Sequence, residues 1–245
     1  MVSVKGSPGV TTLGLAAVAT RPPGEALLAE LDPAGGDVAI WAQSAYEAPG
    51  LMALAAAGRR GMTTELLAQY ERAVGPGLSV LLAPTDGAQA AAALASTGPL
   101  LAAALAARPG LVFADCGRFS PTSPASAVLA VAETTLVVLR PEPGEIEHAR
   151  CLLPALRSVA RDVVAVVVGR KPCKPAEVAE FLEVELVGVV DRDLRTAQGL
   201  ARATNLKALR RTPLVRSAAT VIDRLQERTT SPELRAAVLA ARPVP

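Results

Sequence analysis

Seven short apolar runs, each bounded by glycine, proline or aspartate, recur along the chain and alternate with longer segments. Runs this short and this apolar predict strands that are buried on both faces of a sheet. Because helix-length segments join most of them, the connections predict right-handed crossovers between parallel strands. The sequence therefore predicts an α/β fold, with a mostly parallel sheet of about seven strands and helices on both faces. The predicted strands are residues 2–4, 26–31, 78–83, 111–114, 135–139, 163–168 and 186–190.

The remaining segments predict helices within a single domain. The third of them carries a Gly98-Pro99 pair, which favours a break at that point. No repeat or low-complexity linker divides the chain, so we expect residues 1–228 to form one domain. Residues 229–245 are expected to form a C-terminal tail, with a short helix over 232–241. The predicted helices are residues 11–20, 64–74, 88–107, 123–132, 145–159, 175–182, 193–202 and 217–226.

The composition argues against several classes of protein. The chain is 51% hydrophobic but 2% aromatic, so its core must be built mainly from Ala, Val and Leu. A net charge of +2 argues against an overall polybasic binding surface. The three cysteines lack CxxC spacing and there is one histidine, which argues against a disulfide or zinc framework. We expect a cytoplasmic protein with no transmembrane segment, because Ser96 and Pro99 interrupt the longest apolar stretch.

Residues 5–12, KGSPGVTT, link the first predicted strand to the first predicted helix. A strand, a glycine turn and a helix start together present backbone N–H groups to an anion. Gly6 and Gly9 allow the close approach that such a loop needs. The general phosphate-loop pattern GxxxxGK[ST] is matched only in part, because Val4 and Val10 replace its first glycine and its lysine. The residues alone leave two interpretations open, a phosphate loop and a tight strand-to-helix turn.

The same loop resembles the deviant Walker A loop, KGGxGK[ST]T, of the ParA/MinD family of P-loop ATPases. Lys5 matches the signature lysine of that family, which reaches the nucleotide of a dimer partner. Thr11 and Thr12 match the closing pair. The resemblance implies ATP and Mg²⁺ as cofactors. It also implies contacts with the nucleotide from Lys5, Gly6, Ser7, Gly9, Val10, Thr11, Thr12 and Asp191.

The catalytic residues are implied by a second segment. Residues 28–36, LAELDPAGG, resemble the switch I motif DxDPQG of the family. Asp32 takes the place of the aspartate that positions the attacking water, and Glu30 replaces the aspartate before it. The resemblance therefore assigns catalysis to Asp32 and Lys5.

The metal site and the base site are implied by two further segments. Residues 111–117, LVFADCG, resemble the Walker B strand and switch II, so that Asp115 would hold Mg²⁺ through water and the Thr11 hydroxyl would coordinate it. Residues 186–193, LVGVVDRD, resemble the motif lGvIPyD that lies beside the base. These matches follow the order of the family along residues 1–226.

Departures from the family pattern concern both hydrolysis and base recognition. Val10 supplies no charge where the loop lysine would contact the β- and γ-phosphates, and Pro8 removes one N–H group from the cradle. Gly169 stands where members carry the asparagine that binds adenine, and Asp191 replaces the proline of the base motif. We therefore expect a degenerate member with slow or absent ATP hydrolysis. The alternative is that Lys5 substitutes for the missing lysine and activity survives.

The resemblance implies a positioning role in partition, division-site selection or placement of secretion or pilus machinery. It implies a nucleotide-linked homodimer and a protein partner of unknown identity. Two alternatives stay open: a scaffold that keeps the fold without binding nucleotide, and a metabolic P-loop enzyme. A membrane-targeting helix is weakly supported, since residues 232–241 hold few large apolar side chains. Non-specific DNA binding and a merely solvated surface both explain the basic residues Arg192, Arg195, Arg202, Lys207, Arg210, Arg211, Arg216 and Arg224.

Overall fold

The computed structural model describes residues 1–43 and 50–230. Within these ranges, strands and helices alternate along most of the chain. The strands are β1 (Val2–Ser3), β2 (Ala26–Glu30), β3 (Arg72–Val74), β4 (Leu78–Leu81), β5 (Leu111–Asp115), β6 (Thr135–Leu139), β7 (Val163–Val168) and β8 (Glu185–Val190). The α-helices are α1 (Val10–Ala19), α2 (Val38–Trp41), α3 (Leu51–Ala57), α4 (Thr64–Tyr70), α5 (Gly87–Ala107), α6 (Ser126–Val131), α7 (Pro143–Val159), α8 (Pro175–Phe181), α9 (Leu194–Ala201), α10 (Leu206–Leu209) and α11 (Pro213–Thr230).

The strands form two ladders that meet at β1. One ladder has the order β3-β4-β2-β5 and the other has the order β1-β6-β7-β8. The Ser3 amide donates to the Gly117 carbonyl at 2.8 Å, and the Phe119 amide donates to the Ser3 carbonyl at 2.8 Å. These bonds join β1 to the end of β5, so the strands run in the continuous order β3-β4-β2-β5-β1-β6-β7-β8. The segment after β1 therefore leaves from the middle of the sheet.

Side chains alternate between the two faces of this sheet, as the sequence predicts. In β2, Leu27 and Ala29 belong to one apolar cluster, whereas Ala26 and Leu28 belong to the other. All the described strand pairs are parallel except β3 with β4. The parallel α/β fold class is confirmed, with helices packed on both faces and one strand more than expected.

The additional strand, β3, corrects the predicted helix over residues 64–74. The helix α4 ends at Tyr70, and Glu71 has extended backbone. Gly75 and Gly77 adopt left-handed φ angles of +59° and +119°, which allow the chain to turn from β3 into the antiparallel β4. Arg108 forms an ion pair at 2.6 Å with Glu71, the residue before β3. The short helices α2 and α3 were also not predicted.

The helix α5 continues through the Gly98-Pro99 pair, where the sequence favoured a break. By length and composition alone it is apolar enough to cross a membrane, although Ser96 and Pro99 were expected to interrupt its apolar stretch. Half of its most apolar stretch is nevertheless buried within the fold, and α5 packs against α3, α4 and α6. A core helix of a soluble domain meets the same criterion.

The last described helix, α11, packs against α1 and β8 and ends at Thr230. It is longer at both ends than the predicted helix over residues 217–226, and it continues past the predicted domain end at residue 228. The predicted short helix over residues 232–241 lies outside the described residues.

Candidate nucleotide-binding site

The glycine loop, residues 5–9, connects the central strand β1 to α1. Gly6 and Gly9 have φ angles of +64° and +105°, in the region that favours glycine. Gly9 is the N-cap of α1, and no side chain caps this helix. The first intrahelical hydrogen bond runs from the Leu13 amide to the Gly9 carbonyl, at 2.9 Å, so the amides of residues 10–12 have no intrahelical acceptor. These free donors and the helix dipole suit an anion at the start of α1.

Thr11 and Asp115, the residues predicted to hold Mg²⁺, are in direct contact. The Thr11 hydroxyl donates to Asp115 Oδ2 at 2.5 Å, and the Gly117 amide donates to Asp115 Oδ1 at 3.0 Å. The Asp115 residue is 3% exposed. Burial raises the pKa of its carboxyl group, although both hydrogen bonds oppose that rise. A hard cation at this carboxylate would relieve the cost of its burial.

Glu30 is a second buried acid close to this contact. Its Oε1 accepts from the amides of Asp37 and Val38 at 3.1 Å, and its Oε2 accepts from the amide of Ala83 at 3.2 Å. Burial raises the pKa of Glu30 to about 7, with a further contribution from the charge of Asp115. The carboxyl group thus ties the segment before α2 to the end of β4, which is a structural role.

Asp32, the predicted water-positioning residue, follows β2 and lies against the backbone of Gly117. The Ala34 amide donates to Asp32 Oδ1 at 2.8 Å. Burial raises the pKa of Asp32, and the positive charge of Arg118 opposes that rise. Within residues 1–43 and 50–230, no three His, Cys, Asp or Glu side chains form a metal-binding group. A magnesium ion held by one or two protein groups and phosphate oxygens needs no such group.

Lys5 and Val10 stand at the two loop positions where the family pattern has a lysine, and they differ in exposure. Lys5 is exposed, and none of the ion pairs in the described part of the chain includes it. Val10 is 6% exposed, and its side chain belongs to the apolar cluster that contains Leu13 and Leu214. Position 10 therefore offers the site its backbone amide and no charge.

Two arginines that were not predicted from the sequence flank Gly6. Arg118 Nη2 donates to the Gly6 carbonyl at 3.3 Å. On the other side, Arg140 pairs with the buried Glu145 through Nε and Oε1 at 2.6 Å. Both arginines follow predicted strands that neighbour β1. Since the carboxyl ends of parallel strands meet at one edge of a sheet, that position was the signal that could have identified them.

The predicted base side is a shallow cleft of about 170 Å³. Its volume is below the roughly 300 Å³ of the smallest typical ligand pockets, so a bound nucleotide would extend beyond it. Asp191 lines the cleft and forms a 3.6 Å ion pair with the exposed Arg170. Gly169 has no neighbour within 4 Å of the position that a Cβ would take. The lining residues are Ser7, Pro8, Gly9, Thr12, Leu13, Arg140, Val168, Val190, Asp191, Arg192, Asp193, Leu194, Ala197 and Leu214.

A larger cavity, about 470 Å³, lies at the opposite edge of the sheet. It is lined by the first residues of β5 and β6 and by the last turns of α11. Ligands of parallel α/β sheets bind at the carboxyl ends of the strands, and the larger cavity lies at the amino ends. We therefore assign the candidate site to the glycine loop despite its smaller cleft.

No protein-family model matches the chain, and no curated protein matches its sequence. Solved structures do match its fold. A ParA family ATPase from Chlorobium tepidum has a TM-score of 0.70 at 16% identity, covering 91% of this chain and 96% of that chain. MinD from Pyrococcus horikoshii, complexed with Mg-ADP, has a TM-score of 0.72 at 13% identity, covering 94% and 96%. The chain has the ParA/MinD fold.

A third solved structure also matches the fold of this chain. A plasmid partition protein from Borrelia burgdorferi, bound to AMPPNP, has a TM-score of 0.69 at 9% identity, covering 93% of this chain and 98% of that chain. In this chain the ParA/MinD fold brings the loops after β1, β2 and β5 to one edge, where Thr11, Asp32 and Asp115 lie. The fold predicted from the resemblance is thus confirmed, while the roles of these residues stay predictions.

Proposed function

We propose that the chain is a ParA/MinD-like positioning protein that binds a nucleotide with Mg²⁺ at the start of α1 and hydrolyses it slowly or not at all. The observation that carries the proposal is the uncapped start of α1 beside the hydrogen-bonded pair Thr11 and Asp115. The positioning role is supported by the likeness to ParA, MinD and a plasmid partition protein. The geometry of the glycine loop supports the site that the resemblance implies.

The residues present suit both parts of a magnesium nucleotide. The amides of residues 10–12 would donate hydrogen bonds to phosphate oxygens, and Thr11 with Asp115 would hold the ion. When bound, Mg²⁺ would neutralise phosphate charge during phosphoryl transfer. The carboxyl groups of the buried Asp115 and Glu30 and of the half-buried Asp32 have raised pKa values, chiefly because of burial. A divalent cation beside Asp115 would offset part of that cost.

Slow hydrolysis follows from what the loop lacks. Stabilisation of the transferring phosphoryl group is mainly electrostatic, and removing such a group costs several powers of ten in rate. Val10 is buried among apolar side chains, and Pro8 carries no N–H group. Asp32 still lies next to Gly117, where it would orient water, so the missing charge at position 10 is the main reason for slow turnover.

The partners that we propose are a second copy of the chain and an unidentified protein. One of the matched structures is a complex of MinC with MinD from Aquifex aeolicus. The basic residues of the C-terminal third, which are candidates for DNA binding, fall into two groups. Arg210 and Arg224 donate to backbone carbonyls of Ala19 and Val187. The exposed residues left for phosphate contacts are Arg192, Arg195, Arg202, Lys207, Arg211 and Arg216. We place this assembly in the cytoplasm.

The second candidate function is a scaffold that keeps the fold and binds no nucleotide, and the buried Val10 favours it. Thermal unfolding separates the two functions. We expect Mg-ATP to raise the melting temperature by a few degrees, because a ligand that binds only the native state stabilises it. ATP with a chelator of Mg²⁺ should raise the melting temperature less. Asp115→Asn should lose the magnesium-dependent part, and Arg150→Ala on the exposed face of α7 is the control. Absence of any shift at millimolar ATP would support the scaffold.

Phosphate release in the same samples tests the catalytic half of the proposal. We expect turnover far below about 1 s⁻¹, the lower end for efficient phosphoryl-transfer enzymes. Turnover near that rate that is lost in both Lys5→Ala and Asp32→Ala would contradict the slow-hydrolysis proposal. It would support the alternative in which Lys5 replaces the loop lysine.

A further inference from the structure

A charged pair borders the glycine loop on its β6 side. Glu145, in the first turn of α7, is 3% exposed. Its Oε2 accepts from the Arg140 amide at 2.7 Å, and its Oε1 accepts from Arg140 Nε at 2.6 Å and also contacts Nη2. A buried carboxylate requires such a partner, because an unpaired buried charge is strongly destabilising. The pair therefore fixes the position of the Arg140 guanidinium group.

This guanidinium group lies directly against the loop. A Cβ atom on Gly6 would be 2.9 Å from Arg140 Nη2 and 2.8 Å from Glu145 Oε1. Arginine has several N–H donors, and the pair uses those of Nε and Nη2. Nη1 makes no hydrogen bond within the described part of the chain. Arg140 also lines the cleft, together with Ser7, Gly9 and Thr12. The Arg140 guanidinium group is therefore fixed in place, and its free N–H donors lie next to the amides that would bind the anion.

The other cations near the loop are held less firmly. Lys5 is exposed and outside every described ion pair, and Arg118 is exposed, with one 3.3 Å bond to the Gly6 carbonyl. Position 10 has no charge. The side chain of Arg140 is one-third exposed, at 34%, so it is accessible while its partner is buried. A planar donor group that is already held in place loses less entropy on binding a phosphate.

We infer that Arg140, positioned by Glu145, supplies the phosphate-binding charge of the loop that residue 10 does not supply. The ligand is the phosphate chain of a nucleoside di- or triphosphate. This inference rests on the nucleotide binding proposed above. Arg140 acts by direct contact with phosphate, and Glu145 is a positioning residue.

Equilibrium affinities for ATP and for inorganic tripolyphosphate, each with Mg²⁺, test the inference on the full chain. Because Arg140→Ala leaves Glu145 buried and unpaired, the decisive variant is the neutral pair Arg140→Met with Glu145→Gln. Both ligands should bind it about 10- to 100-fold more weakly, as expected for loss of a charge-assisted hydrogen bond. Arg140→Lys should recover part of the affinity. The control is Arg150→Ala, which removes an exposed ion pair with Glu147 from the same helix.

The dependence on KCl distinguishes direct contact from an effect on loop structure. A direct contact gives a loss that is largest at low KCl and shrinks as salt screens the charge. An equal loss at all KCl concentrations, or unchanged affinity in the neutral pair, would overturn the inference while nucleotide binding stands. If the wild-type chain binds neither ATP nor tripolyphosphate, the proposed function fails, and the inference fails with it.

Discussion

The two sides of the glycine loop differ in how firmly their side chains are held. On the side predicted to hold Mg²⁺, called here the metal side, Thr11, Asp115 and Glu30 form hydrogen bonds of 2.5 to 3.2 Å, and both acids are buried. On the base side, Arg170 and Asp191 are 3.6 Å apart with side chains 65% and 39% exposed. The acids of the metal side also connect neighbouring segments of the fold, so folding alone constrains them. The base side has no such structural constraint, and two of the departures from the ParA/MinD pattern, Gly169 and Asp191, lie there.

The largest effect is expected for Asp115→Asn, which tests the metal side directly. Asparagine can keep the bond from the Gly117 amide, so the fold should survive, while the carboxylate that would hold Mg²⁺ is lost. We expect magnesium-dependent nucleotide affinity to fall by at least about 100-fold. Loss of a group that only supports the ligands of a metal already lowers metal affinity by about 10- to 100-fold. Without metal the variant should melt no lower than wild type, because a buried carboxyl group with a raised pKa is removed. Affinity that stays magnesium-dependent would show that Asp115 is not the metal ligand.

The next effect is a fall in stability with rising pH, caused by Glu30. Its pKa rises from 4.5 in the unfolded chain to about 7 in the fold. The folded chain therefore binds more protons between these values, and stability falls as the pH rises through them. From pH 5 to pH 8 the contribution is on the order of 3 kcal/mol. Asp32 and Asp115 contribute with the same sign.

Urea unfolding at both pH values measures this slope, and Glu30→Gln isolates the contribution of Glu30. The variant loses one hydrogen-bond acceptor and should be less stable at pH 5, with a flatter dependence on pH. A slope equal to that of wild type would show that Glu30 does not titrate in this range.

The third effect is a loss of stability on substitution of Gly6 in the glycine loop, compared with Gly144 in the neighbouring helix α7. Gly6→Ala places a Cβ in a left-handed conformation and against Arg140 and Glu145. We expect a loss of about 2 kcal/mol in the free energy of unfolding. The matched control is Gly144→Ala, since a Cβ at that position in α7 meets nothing within 4 Å. Equal effects of the two changes in denaturant unfolding would contradict the packing of the pair on the loop.

The smallest effect belongs to the base side. Because Arg170 and Asp191 are exposed and 3.6 Å apart, Asp191→Ala should change the free energy of unfolding by less than about 0.5 kcal/mol. Competition between ATP and GTP should change by no more than about threefold, since a screened exposed charge discriminates weakly. A larger change in this competition would assign base recognition to Asp191.

Most of the sheet could be predicted because its strands are continuous apolar runs between turn residues. Residues 135–139 and 163–168 were predicted with the bounds that the structure gives. The strand β3 was missed because RAV is too short and too polar to form a distinct run, and only its pairing with β4 makes it a strand. The helix α5 overrides the break expected at Pro99, because its packing in the core outweighs one lost hydrogen bond.

The site was predictable in part for the same reason. Thr11, Asp32 and Asp115 each follow or end a strand in a recognisable motif, and the structure places them at one edge. Neither Arg118 nor Arg140 was given a role from the sequence. Their position beside Gly6 depends on the order β5-β1-β6, which the local sequence does not contain.

The central claim is that the chain holds a magnesium nucleotide at the glycine loop and hydrolyses it slowly or not at all. Equilibrium dialysis of the full chain against labelled ATP, with and without Mg²⁺, followed by separation of the bound nucleotide, tests both parts at once. We predict magnesium-dependent retention of about one nucleotide per chain, recovered as ATP after prolonged incubation. No retention, or recovery of the bound label as ADP alone, would contradict this account.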